Sequence, residues 1–138
     1  MCHALLIMSM LTITQTKEDR TTRDQEQIQG TWQLVSGERG GKVLSEEVVK
    51  NVRLVFSANK LTTKVKARAN EATFKLTPEQ HPKQIDLDMD GAVGKGIYQL
   101  DGDSLKLAHG EVGEDRPKDF PVKVGSGLTV MTLKRVKP

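Results

Sequence analysis

The chain has 138 residues, 36% hydrophobic, with a mean hydropathy of −0.45, which suits one soluble domain around one core. Only 4% of residues are aromatic and the formal net charge is only +3, so a surface of stacked rings or a polyanion-binding groove for nucleic acid is not expected. A single cysteine, Cys2, and three scattered histidines give neither an internal disulfide nor a zinc-binding spacing, and no metal or cofactor is expected.

The first segment, Met1–Thr16, carries the apolar run Ala4–Leu11. Its length suits the hydrophobic region of a signal peptide and is too short for a transmembrane segment. No Lys or Arg precedes it and no small-x-small site follows. A start misplaced within a longer signal peptide would explain both and points to export, to a periplasm or cell envelope. An unprocessed tail folding back as a short helix is the other reading, and leaves a cytoplasmic location open. Lys17–Gln29, dense in Thr, Gln, Glu, Asp and Arg, reads as a charged linker. The chain thus divides into residues 1–29 and a domain at 30–138.

From Thr31 onward the apolar pattern has period two, which predicts strands. The first is Thr31–Ser36, with Trp32 and Leu34 on one face. A glycine-rich stretch leads to Ser45–Lys50, where Ser45 can cap a short helix whose first turn carries Glu46 and Glu47. Strands follow at Val52–Ser57, Lys60–Ala67, Glu71–Leu76, Gln84–Met89, Gly96–Asp101, Ser104–His109 and Leu128–Arg135. The fold class is therefore all-β: about eight antiparallel strands and one short helix between the first two. A turn at Gly102-Asp103 sets Leu100 opposite Leu105, and one at Ala58-Asn59 sets Phe56 opposite Leu61 and Leu54 opposite Thr63. A third turn, at Ala69-Asn70, would set Val65 opposite Phe74 and Arg68 opposite Glu71. Hairpins between sequence neighbours describe an up-and-down meander barrel rather than a Greek-key sandwich. Ala58 is an imperfect turn residue, because a left-handed backbone costs a non-glycine roughly 1–2 kcal/mol.

Gly30-Thr31-Trp32 at the opening of the first strand resembles the Gly-x-Trp signature of lipocalins. In that family the tryptophan plugs the closed end of the barrel and an arginine near the end of the last strand packs across it, a place that Arg135 matches. The chain is more similar still to a family of uncharacterised lipocalin-like domains abundant in planctomycetes. The resembling stretches are Gly30–Gly37, Gly96–Leu107, Arg116-Pro117 with Phe120, and Gly125-Ser126-Gly127 leading to Leu133-Lys134-Arg135. The resemblance implies the barrel and assigns no activity.

Each candidate site has a structural alternative. Trp32 and Arg135 read as a structural pair on the barrel floor, a cation–π contact worth roughly 0.5–2 kcal/mol. Asp86-Leu87-Asp88-Met89-Asp90-Gly91 has the opening of a calcium loop, but Ile97 stands where a bidentate Glu is required, and the segment reads fully as a strand with its acids in solvent. Lys60, Lys64, Lys66 and Arg68 would face outward from one strand, where a solvated face is the commoner role than an anionic partner. Glu111, Glu114 and Asp115 are expected to pair with Arg116. His109 has no nearby nucleophile and His81 sits in a turn, so no catalytic residue is assigned and an enzyme is not expected.

The barrel interior is the remaining candidate. Leu54, Phe56, Thr63, Phe74, Met89, Tyr98, Leu107 and His109 should line it, with Val65, Leu87 and Leu105. Two outcomes stand: a hollow interior that binds a ligand, or side chains that fill it. Gly37–Asn51, with its helix, is expected to cover one end as a plug or lid. The primary reading is a non-catalytic binding module for a small apolar or amphipathic ligand. The alternative is a structural or protein-interaction module of the cell envelope with a packed interior. Nothing in the sequence indicates an oligomeric state.

Overall fold

The structure is a computed structural model and describes residues 17–120 and 127–137. Ala4–Leu11 lies outside these residues, and no described helix is long and apolar enough to cross a membrane.

Among the described residues two helices and nine strands follow one another as α1 (Lys17–Gln27), β1 (Gly30–Arg39), β2 (Lys42–Val43), α2 (Glu46–Lys50), β3 (Val52–Ser57), β4 (Lys60–Val65), β5 (Arg68–Thr77), β6 (Lys83–Met89), β7 (Ala92–Asp101), β8 (Ser104–His109) and β9 (Thr129–Arg135). Each strand from β3 to β9 pairs antiparallel with the next, β1 pairs with β3, and β1 also pairs with β9. The result is a closed eight-stranded barrel, with β2 added as a two-residue partner to the end of β1. Closure leaves the wall with no long unpaired edge.

The turns at Ala58-Asn59 and Gly102-Asp103 have the expected registers, Phe56 opposite Leu61 and Leu100 opposite Leu105. Ala58 adopts φ 54°, and α1 compensates its strain. Gln29 accepts the Ala58 N–H at 2.8 Å and donates back to its carbonyl at 2.9 Å, and Gln25 donates to the same carbonyl at 2.6 Å.

The β4–β5 turn is not at Ala69-Asn70. The chain reverses at Lys66-Ala67, with Lys66 at φ 55°, so Val65 faces Arg68 and Thr63 faces Asn70. Leu61 still shares a face with Ala72, because the register moves by an even number of positions. Lys60 and Lys64 do point outward from β4, while Lys66 belongs to the turn and Arg68 to β5; all four are exposed.

Helix α2 forms as expected, with the Ser45 hydroxyl accepting from the Val48 N–H at 3.4 Å. Its position is not that of a lid. It packs on β1 where the β1–β3 ladder ends at Gln33 and Arg53, and Gln33 ties it there by donating to the carbonyls of Val49 (3.1 Å) and Val52 (3.2 Å).

Lys17–Gln29 is also not a simple linker, since it carries α1. Asp24 and Ile28, four positions apart, are buried beneath the barrel. The Asp24 carboxylate accepts from the Tyr98 hydroxyl at 2.6 Å and from Lys83 Nζ at 2.9 Å. Burial, and then the Asp24 carboxylate itself, push the Tyr98 phenol far above its usual range, so it stays protonated and donates.

The floor is completed by the expected pair. Arg135 Cζ lies 4.3 Å from the centre of the Trp32 ring. Its guanidinium also donates to the carbonyls of Gln29 (2.7 Å) and Gln27, and to Asp103 Oδ1 (3.1 Å). A cation thus sits on the last carbonyls of α1, which has no basic residue in its own last turn. Trp32 Nε1 donates to the Ile28 carbonyl at 2.9 Å. Gly30 has φ 118°, and a Cβ there would come within 3.3 Å of Arg135 Nη1, which explains a glycine two residues before the tryptophan.

Above the floor the interior is packed. Phe56 and Phe74 meet edge to face with centroids 5.1 Å apart, among Leu76, Ile85, Leu105 and Leu133. A second small cluster lies on the outer wall, where Phe120 covers Ile97, Ala108 and Val130.

Candidate functional site

The opposite end of the barrel is open. A cavity of about 550 Å3 enters it from the mouth, with an apolar lining of Leu54, Leu61, Leu87, Met89, Leu107 and Met131. Thr63, Asn70, Thr129 and His109 add polar groups, and the loop Gly110-Glu111-Val112 flanks the opening together with Arg39 and Glu71.

The hollow has a local cause in side-chain size. Along β7 the inward positions alternate from Ala92 through Gly94 and Gly96 to Tyr98, as their pairing with β6 and β8 requires. A Cβ on Gly94 would have only the Leu87 carbonyl within 4 Å, at 3.9 Å, so the missing side chain is cavity. Gly96, one layer deeper, is already crowded by Ile85 and His109. Next comes Tyr98, which fills its layer.

Six of the residues expected to line the interior do line the cavity, Leu54, Thr63, Leu87, Met89, Leu107 and His109, while Val65 and Leu105 do not. Phe56, Phe74 and Tyr98 do not line it either. They point inward but lie deeper, where the two phenylalanines meet edge to face and Tyr98 meets Asp24. Period two identifies the inward face of a strand and carries no information on depth along the barrel axis.

Arg39 is among the polar mouth residues missed by that reasoning, with Asn70, Glu71, Glu111 and Thr129. Continued from Trp32 and Leu34, the alternation would turn Ser36 and Glu38 inward. The β1–β9 ladder instead steps from Leu34–Leu133 to Ser36–Thr132, leaving Val35 as an unpaired bulge residue. Beyond the bulge the inward positions are Gly37, opposite Met131, and Arg39, opposite Thr129. The signal was the consecutive pair Leu34-Val35, which breaks the alternation; Val35 is 54% exposed.

Across the mouth, Thr129 also pairs with His109. Arg39, Thr129 and His109 therefore form one cross-strand row on β1, β9 and β8. Burial is the main force lowering the His109 pKa from its ordinary value, with a further contribution from the Arg39 charge, against a contact to the Gly110 carbonyl. That contact is 3.2 Å from Nδ1. A carbonyl only accepts, so Nδ1 carries the proton there and Nε2 is left as an acceptor.

The other charged candidates are committed elsewhere. Arg116 does not pair with Glu111, Glu114 or Asp115. It reaches β6 and β7, with Nη2 2.6 Å from Asp86 Oδ1 and Nη1 2.8 Å from the Gly96 carbonyl. Asp88 Oδ1 accepts from the Gly91 N–H at 2.7 Å, and Asp90 takes φ 54° in the β6–β7 turn, so this acidic segment is built as a strand and hairpin. His81 is exposed in the segment between β5 and β6. No residue of α2 lines the cavity.

Comparison of the chain with protein-family models, with curated proteins and with solved structures found no match.

Proposed function

We propose that this chain is a non-catalytic, lipocalin-like binding module that holds a small apolar or amphipathic molecule in the mouth of its barrel. The observation that carries this reading is the cavity of about 550 Å3, lined mainly by aliphatic side chains and lying above a floor filled by Trp32 and Tyr98. Small-molecule sites typically enclose roughly 300–1,000 Å3, are mostly apolar, and carry a few placed polar groups. Four exposed apolar side chains, Val65, Met89, Val93 and Val112, stand on the hairpin tips and loop at this end, and would ease entry of an apolar ligand. The cavity weighs against the alternative of an interaction module with a fully packed interior. The apolar run Ala4–Leu11 and the resemblance at Gly30–Trp32 support an exported carrier.

Native mass spectrometry of the protein purified from its source tests the reading. A retained small molecule, released on denaturation, is the expected result. A protein that is always empty, and that also fails to enhance the fluorescence of an apolar probe such as 1-anilinonaphthalene-8-sulfonate, would overturn it.

A further inference from the structure

We infer that the ligand carries an anionic head group, a carboxylate or similar acid, bound at the rim by Arg39, with its apolar part directed down the barrel. This inference deepens the binding-module reading and rests on it. The β1 bulge at Val35 turns the Arg39 side chain to the cavity side of the wall. There Arg39 has no hydrogen-bond or ion-pair partner among the described residues, whereas Arg53, Arg116 and Arg135 are each tied to a named acceptor. An arginine on a cavity wall with its donors unspent suits a planar acid, which can accept two parallel N–H bonds.

The surroundings support this orientation. Thr129 separates Arg39 from His109 in the same cross-strand row, so a hydroxyl and an imidazole lie beside the cation. Below the row, Met131 and Leu107 occupy the next inward positions on β9 and β8, and Leu54, Leu61 and Leu87 continue the apolar wall. The polar end of a bound molecule therefore belongs at the row and its apolar end beneath. Two acids also line the mouth. Glu71 is on β5, separated from β1 by β3 and β4, and the Glu111 side chain lies beside Gly127. Neither forms an ion pair with Arg39.

The test uses three probes with one chain and three heads: dodecanoate, dodecanol and dodecylammonium, titrated into the full chain by calorimetry at neutral pH. Dodecanoate should bind about tenfold more tightly than dodecanol, the worth of one charge-assisted contact. Dodecylammonium should bind most weakly. Arg39→Gln should erase the preference for the acid by weakening dodecanoate far more than dodecanol, while Arg39→Lys should keep part of the preference. Arg39 is exposed, so neither variant threatens the fold. Equal binding of acid and alcohol, a preference for the ammonium, or an acid preference that survives Arg39→Gln would each overturn the inference and leave the binding module standing. Failure of all three probes to bind would count against the binding module itself, and the inference with it.

Discussion

The two ends of the barrel are made from the same strands with the same alternation, yet one is sealed and the other hollow. At the sealed end Trp32, Tyr98, Phe56 and Phe74 fill the layers, and α1 and the turn after it add the Asp24 carboxylate and Ile28 from below. At the open end the inward positions hold Gly94, Ala72, Thr63 and Thr129, too small to meet across the lumen. Strand pairing sets which side chains face inward. Whether they meet is a question of volume, layer by layer. Stability should therefore reside mainly at the floor, and binding at the mouth, in residues that can be exchanged almost independently.

The largest effect that would separate the two ends is Trp32→Ala. It should cost about 3–5 kcal/mol, measured as a loss of unfolding free energy in urea, since it removes a buried indole and the ring on which Arg135 rests. A cost below about 1 kcal/mol would mean the floor is not where stability is held. Asp24→Ala should come next, at about 1–3 kcal/mol, because the buried Tyr98 hydroxyl loses its acceptor. In a double-mutant cycle the cost should shrink when Tyr98 is already Phe.

Gly94→Leu probes the other end. It should change stability by no more than about 1 kcal/mol, because the added side chain enters open space at an ordinary strand position. Binding of an apolar probe should nevertheless fall about tenfold or more as the cavity fills. Unchanged binding would place the ligand elsewhere. The smallest effect concerns His109. Its folded pKa is below the ordinary 6.5, so between that folded value and the unfolded one the unfolded chain binds more protons. Stability should therefore fall as the pH drops below about 6.5. The difference between urea midpoints at pH 7.5 and 5.5 should be smaller in His109→Gln than in the parent protein.

Much of the barrel was legible because strands half-buried on a common core repeat every second residue, and because the turn at Gly102-Asp103 admits one register. The floor pair was legible from Gly30, Trp32 and Arg135. What escaped were features set by distant partners. The turn expected at Ala69-Asn70 rested on local chemistry alone, but β5 is also held by β6, with Phe74 opposite Leu87, and that pairing limits how far β5 can slide. Helix α1 escaped because the segment is anchored by an aspartate and by Ile28 just beyond the helix, which no apolar period reveals. Arg39 escaped because a single bulge residue inverts the parity of everything after it.

Arg135 belongs to the last strand, and it holds the helix that precedes the first. During synthesis, α1 and Trp32 leave the ribosome more than a hundred residues ahead of their clasp, as the separations of 106 and 108 positions to Gln29 and Gln27 record. The nascent chain can lay down β3 to β8 hairpin by hairpin, but its base stays unfastened until Arg135 emerges. A chain cut short before Arg135 would thus expose the Trp32 indole and its apolar neighbours, giving quality-control proteases a ready mark for incomplete copies.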